Sequence, residues 1–199
     1  MPRLSLTDLV DVVSTSGTPK MTKVSQIKNR KPYEPAFDFY KPIRDWIVEF
    51  HQHDRAKSSI GDILSKVNDE KKLTAYPVIV QGYKKWWGRK SLVWFEPPDN
   101  LFSSHGVDVS VNPELGLYVD NYPHIIKLYF KADKLSKNRI DIITHLMGVS
   151  LAGQCPEGAT MSVLDVRRAM LFSPTIPIPG LSAIIRAELA YISTPWDEV

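Results

Sequence analysis

Two runs of alternating residues stand back to back in this chain, Leu115-Gly116-Leu117-Tyr118-Val119 and Ile126-Lys127-Leu128-Tyr129-Phe130, separated by a segment that includes Asp120-Asn121-Tyr122-Pro123. Alternation with period two is the signature of a strand, and the residues between the runs favour turns, so the segment reads as a β-hairpin. The apolar faces of the two strands must coincide, because a slip of one residue would turn a whole apolar set to solvent. With the turn at Asp120–Pro123, the simplest register pairs Val119 with His124, Leu117 with Ile126 and Leu115 with Leu128. Glu114 then lies opposite Tyr129 and diagonal to Lys127, on a shared face directed away from the core. Diagonal neighbours are about 7–8 Å apart, close enough to converge on one ligand or ion. A carboxylate beside a lysine on adjacent strands can serve phosphodiester chemistry; it is equally an ordinary surface ion pair.

The rest of the chain frames this hairpin. At 199 residues, 43% hydrophobic and 24% charged, it suits one globular domain with a substantial core. A net charge of +3 is too small to imply a polyanion partner without local clustering. Cys155 is the only cysteine, which excludes an intrachain disulfide framework and a thiolate zinc cluster and favours a reducing compartment. Asp8 and Asp11 interrupt the first apolar run, against a signal peptide. No apolar stretch approaches the roughly 20 residues of a membrane span. A cytoplasmic protein without a membrane partner is expected.

Residues 1–34 are rich in Ser, Thr and Lys and carry the basic run Lys28-Asn29-Arg30-Lys31. Their scarce apolar content predicts a flexible basic arm, with residues 35–199 as a single α/β domain. Asp38 is a plausible cap for a helix with Pro42 in its first turn and Ile43, Trp46, Ile47 and Phe50 on one face. A second short helix is expected from Ser58 or Ser59, through Ile60, Ile63 and Leu64. Tyr76–Gly88 reads as strand or short helix, the helix favoured because alternation stops at Val80. Ser91–Glu96 reads as a strand ended by Pro97-Pro98, and Val107, Val109 and Val111 alternate into the hairpin. Ser136 is expected to cap a mostly buried helix through Ile140, Ile143, Met147 and Leu151. Met161–Phe172 reads as one strand, and a closing helix carries Ile184, Ile185, Leu189 and Ile192. A three-stranded antiparallel meander, a crossover helix and a further strand predict an α/β (α+β) domain with a mixed sheet flanked by helices.

One other segment carries chemistry. Tyr83-Lys84-Lys85-Trp86-Trp87-Gly88-Arg89-Lys90 interleaves aromatics with cations, as a nucleic-acid contact does when rings stack on bases and cations meet phosphates. The competing reading buries Trp86 or Trp87 in the core and leaves Lys84, Lys85, Arg89 and Lys90 merely solvated. Among the histidines, His51 and His53 are two apart and diverge on a helix, which argues against a metal pair. His145 falls beside a buried stripe and reads as a hydrogen-bonded boundary residue.

The order of elements from about residue 76 to 172, with Pro113-Glu114 followed by Ile125-Ile126-Lys127, resembles the PD-(D/E)XK nuclease superfamily. That resemblance implies a restriction-endonuclease-like core, DNA or RNA as substrate, and Mg²⁺ as cofactor. Glu114 would be the acid of the second strand and Lys127 the catalytic lysine. The family's other acid, two residues before the lysine, is here Ile125, which cannot ligate a cation. Asp108, Asp120 or Glu96 would have to supply it from a neighbouring strand, or the chain is a relative without catalysis. A non-enzymatic interaction or scaffold protein is the alternative. Exposed strand edges and the Pro174–Gly180 loop would permit a homodimer.

Overall fold

The hairpin forms in the computed structural model, which describes residues 2–196, but its register is two positions tighter than expected. Leu115 pairs with Ile126, Leu117 with His124 and Val119 with Tyr122. The turn is Asp120-Asn121 alone, at φ 50° and 73°. Short polar side chains tolerate this left-handed conformation, and a two-residue turn of that kind matches the twist of paired strands. Because the shift is even, every side chain keeps its expected face.

In chain order the elements are β1 (Arg3–Ser5), α1 (Leu6–Val13), α2 (Thr18–Lys28), α3 (Lys41–Gln52), a 3-10 run at Lys57–Lys66, α4 (Glu70–Trp87), β2 (Leu92–Phe95), β3 (Asn100–Ser104), β4 (Val107–Val111), β5 (Leu115–Val119), β6 (Tyr122–Tyr129), α5 (Lys137–Leu151), β7 (Thr160–Asp165), β8 (Met170–Phe172) and α6 (Leu181–Ser193). One mixed sheet runs β2-β5-β6-β7-β8, antiparallel except between β6 and β7. A smaller sheet runs β1-β4-β3, with β1 parallel to β4. The antiparallel meander is thus β2-β5-β6, with β3 and β4 inserted as a side sheet, and α5 makes the crossover to β7. The fold is mixed α/β, its sheets flanked by helices.

The large sheet separates two cores. On one side Leu115, Leu117, Ile126, Leu128 and Leu164 pack against Ile43, Ile47 and Phe50 of α3 and Tyr76, Ile79 and Tyr83 of α4. On the other, Ile125 and Val163 pack with α5, α6, α1 and the valines of β4. β6 and β7 are therefore apolar on both faces, as buried strands are. Gly82 lets α4 cross the turn after β7: a Cβ there would stand 2.0 Å from the Val166 carbonyl oxygen.

Several expectations are corrected. Residues 3–28 are not a flexible arm. Ser5 caps α1 in a reciprocal box with Asp8, and Leu4, Leu6, Leu9, Val10, Val12 and Val24 are buried in the second core. Each such side chain contributes about 2 kcal/mol, enough to order a short segment that has a surface to dock on. Met161–Phe172 is a hairpin of two strands, β7 and β8, because Ala169 takes a positive φ of 56° and reverses the chain. α4 begins at a cap from Asp69 and carries Pro77 within it, so it is longer than the alternation suggested. Ile184, expected on the buried face of the closing helix, is 54% exposed. The Ser136 cap on α5 is present. Among the described residues no helix is long and apolar enough to cross a membrane.

Candidate functional site

The tighter register places Glu114 directly opposite Lys127. Lys127 Nζ donates to Glu114 Oε1 at 2.6 Å and to the Asn112 carbonyl at 2.8 Å. Glu114 Oε2 accepts the backbone N–H of Leu128 at 2.7 Å. Both carboxylate oxygens therefore accept a hydrogen bond from the protein itself. The face is not directed away from the core as expected: both side chains are only 12% exposed. Helices cover both sides of this sheet, so the face that lacks the hairpin's leucines is still largely enclosed.

The pair lies at the base of an open cleft of about 1020 Å³, bordered by α3, the start of α1 and the loops after β2 and β4. Sequence reasoning had not brought α3 to this place. The cap position of α3 is Tyr40 and not Asp38 as expected; Asp38, two residues earlier, nonetheless accepts the N–H groups of Tyr40 and Lys41 through Oδ1 at 3.1 Å each. Its Oδ2 accepts from Arg44 at 2.8 Å. Burial works against the charge of Arg44, but the hydrogen bond from its guanidinium to Asp38 and the negative charges of Asp38 and Glu114 outweigh it, and its pKa is raised.

The cations along this cleft are matched one by one. Arg30 pairs with Asp8 at 2.6 Å, Lys41 with Asp45, and Lys131 with Asp11 at 3.0 Å. Asp11 also accepts from Arg139 at 2.5 Å. Burial pushes its pKa up, yet these two hydrogen-bonded cations prevail and hold it below the usual carboxylate value. Glu96 and Asp99 on the rim have no ion-pair partner among the described residues.

The donors proposed for Mg²⁺ do not assemble. Asp108 belongs to β4 in the other sheet, where it accepts from Ser103 Oγ at 2.6 Å. Asp120 is in the hairpin turn and accepts the Ser91 N–H at 2.9 Å. Glu96 does share the cleft with Glu114, but two carboxylates alone do not make up a magnesium ligand set, and each Glu114 oxygen already accepts a hydrogen bond. Among the described residues no group of three His, Cys, Asp or Glu side chains could hold a metal ion. The residues present do not fit a magnesium centre.

The Lys84–Lys90 segment closes α4. Trp86 is 3% exposed, a core residue whose indole N–H finds no acceptor among the described residues. Trp87 stacks edge-on to Phe50 and donates to the Lys90 carbonyl at 3.1 Å. Neither ring is presented as a stacking platform. Lys90 donates to the Trp86 carbonyl and Lys57 to the Gly88 carbonyl, so these two ammonium groups satisfy the negative end of the helix. Lys84, Lys85 and Arg89 remain exposed and make no ion pair among the described residues. Two of the histidines are held by hydrogen bonds within the fold: His51 Nε2 lies 2.7 Å from Tyr83 Oη in the core, and His145 Nε2 lies 2.7 Å from Ser182 Oγ between α5 and α6.

No protein-family model, curated protein or solved structure matches this chain.

Proposed function

We propose that the protein is a non-hydrolytic, nucleic-acid-directed module built on a nuclease-like core, in which the Glu114–Lys127 pair is structural. One observation carries the non-hydrolytic part: the oxygens that a metal-dependent nuclease would turn toward Mg²⁺ are bonded to Lys127 Nζ and Leu128 N–H. The element order α4, β2-β5-β6, α5, β7 supports the kinship, since it is the order the resemblance implies. Lys84, Lys85 and Arg89 support contact with DNA or RNA, as unpaired cations clustered at one end of a helix. With the aromatic rings turned inward, the contact is to phosphates and is indifferent to sequence.

The experiment is fluorescence anisotropy with single- and double-stranded DNA and RNA over a salt series, beside a cleavage assay with Mg²⁺ and Mn²⁺. Binding should weaken with salt at a log–log slope of about −3 on duplex DNA, as three phosphate contacts require, and vanish in Lys84→Glu/Lys85→Glu/Arg89→Glu. Metal-dependent cleavage that disappears in both Glu114→Ala and Lys127→Ala would refute the structural role of the pair.

A second reading, a non-enzymatic protein–protein interaction module, is favoured by the pairing of the cleft's cations with acids. Such a surface suits a protein of mixed charge better than a polyanion. Absence of nucleic-acid binding at low salt would select it.

A further inference from the structure

β2 is one of the two edges of the large sheet, and its four residues carry neither the charges nor the prolines that often keep an edge unpaired. Leu92-Val93-Trp94-Phe95 contains no charge and no proline, and none of the four is buried. Val93 is 56% exposed. Edges of this kind present a template for another strand.

The direction of the free backbone groups can be deduced. Asp120 N–H donates to the Ser91 carbonyl at 3.0 Å, continuing the β2–β5 ladder in which Leu92 faces Val119 and Val93 faces Tyr118. Hydrogen-bonded pairs alternate along an antiparallel ladder, so Ser91, Val93 and Phe95 bond inward to β5. Leu92 and Trp94 therefore direct their N–H and C=O groups outward.

We infer that this edge takes a second copy of the same chain, in antiparallel pairing about a twofold axis at Val93. With Leu92 and Trp94 as the outward-bonding residues, that axis pairs Leu92 of each copy with Trp94 of the other, and Val93 meets Val93. Val93 is then the non-hydrogen-bonded pair, where side chains approach most closely. The same register sets Lys90 of one copy opposite Glu96 of the other. Glu96 has no ion-pair partner among the described residues, and Lys90 has no acid partner either, its ammonium meeting the carbonyl and the ring of Trp86. The strand is thus self-complementary in charge as well as in hydrogen bonding: basic before it, acidic after it. Pro97-Pro98 stops the pairing there. Two five-stranded sheets become one continuous sheet of twice the width. Because Trp94 and Glu96 border the cleft above Glu114, each copy brings its Arg89–Lys90 corner to the cleft mouth of the other. The inference stands whether or not the protein binds nucleic acid.

Sedimentation velocity from about 1 to 500 μM tests it, a range that covers the weak association expected of so short a strand. The wild type should shift from monomer to dimer, and Val93→Lys, which sets like charges on the axis at a site already exposed, should remain monomeric with an unchanged thermal melt. Lys90→Glu and Glu96→Lys should each raise the dimer dissociation constant about tenfold, and the double swap should restore it. That rescue cannot arise from a general loss of folding. A wild type that is monomeric throughout overturns the inference and leaves β2 to an extended segment of some other protein. A dimer indifferent to Val93→Lys, or single charge reversals without rescue in the swap, overturns it as well.

Discussion

Lys127 and Glu114 face each other across the hairpin with Nζ 2.6 Å from Oε1, and each is only 12% exposed. Removing one partner leaves the other charge enclosed and unmatched, which costs more than removing both. Lys127→Met is expected to lower stability by about 3 kcal/mol. Glu114→Gln/Lys127→Met should lower it less, because the amide oxygen still accepts the Leu128 N–H. Urea melts read at constant slope give both values. A double variant less stable than Lys127→Met would show that the pair does not act as a unit.

Two helical glycines make opposite predictions for the same substitution. At Gly82 a new Cβ would stand 2.0 Å from the Val166 carbonyl oxygen, so Gly82→Ala must push α4 off the β7–β8 turn and should cost about 3 kcal/mol. At Gly148 in α5 nothing lies within 4 Å of the new atom. Gly148→Ala should therefore stabilise by about 0.5–1 kcal/mol, the ordinary helix preference for alanine. Thermal melts of the two variants suffice; equal effects at both positions would contradict the close approach at Gly82.

These glycines also mark what was legible in the sequence. Alternation in the hairpin was readable because both strands repeat their apolar residues with period two, and that period fixed the shared face of Glu114 and Lys127. Their direct opposition was not readable, because it depends on a two-residue turn that Asp120 and Asn121 allow but do not demand. The arm was misread for a related reason. β1 is three residues long and pairs in parallel with β4, more than a hundred positions away, so no local pattern announces it. Pro77 obscured the first half of α4, although the cap at Asp69 was a usable sign of a helix start. The cleft was absent from the sequence reading because Arg44 meets Asp38 and feels Glu114 only after α3 folds onto the sheet. The burial of Trp86 was anticipated as one of two readings and follows from its place on the inner face of α4.

His51 gives the chain a pH dependence. Its ring is buried against Phe50, Trp87 and Tyr83, and desolvation lowers its pKa to about 4, with the charge of Asp54 only partly opposing the shift. A folded-state pKa below the unfolded one means that the unfolded chain binds the proton more tightly. Stability is therefore complete above about pH 6.5 and declines as the pH falls toward 4, by about 3 kcal/mol over that window. His51→Gln, which can still meet the Tyr83 hydroxyl, should flatten this decline. Denaturant melts from pH 7 to pH 4 measure it, and a wild-type slope unaltered in the variant would exclude His51 as its source. The lowered pKa of Asp11 acts in a more acidic window, below the ordinary carboxylate value.

The amino-terminal segment offers the last test, because an arm and a core element respond differently to a protease. Leu9 is fully buried among α1, α5 and the valines of β4, and Lys20 of α2 pairs with Glu188 of α6. The chain between α2 and α3 is instead exposed from Arg30 to Phe37. Brief trypsin digestion is expected to cut after Lys28 or Arg30 before it cuts after Lys20 or Lys23, since cleavage inside α2 requires that helix to open. Leu9→Ala should cost about 3 kcal/mol, as for other large-to-small changes in a packed core. It should also bring forward cleavage at Lys20 and Lys23. First cuts inside α2 in the wild type, read by mass spectrometry, together with a Leu9→Ala melt close to that of the wild type, would show that residues 3–28 are not part of the cooperative core.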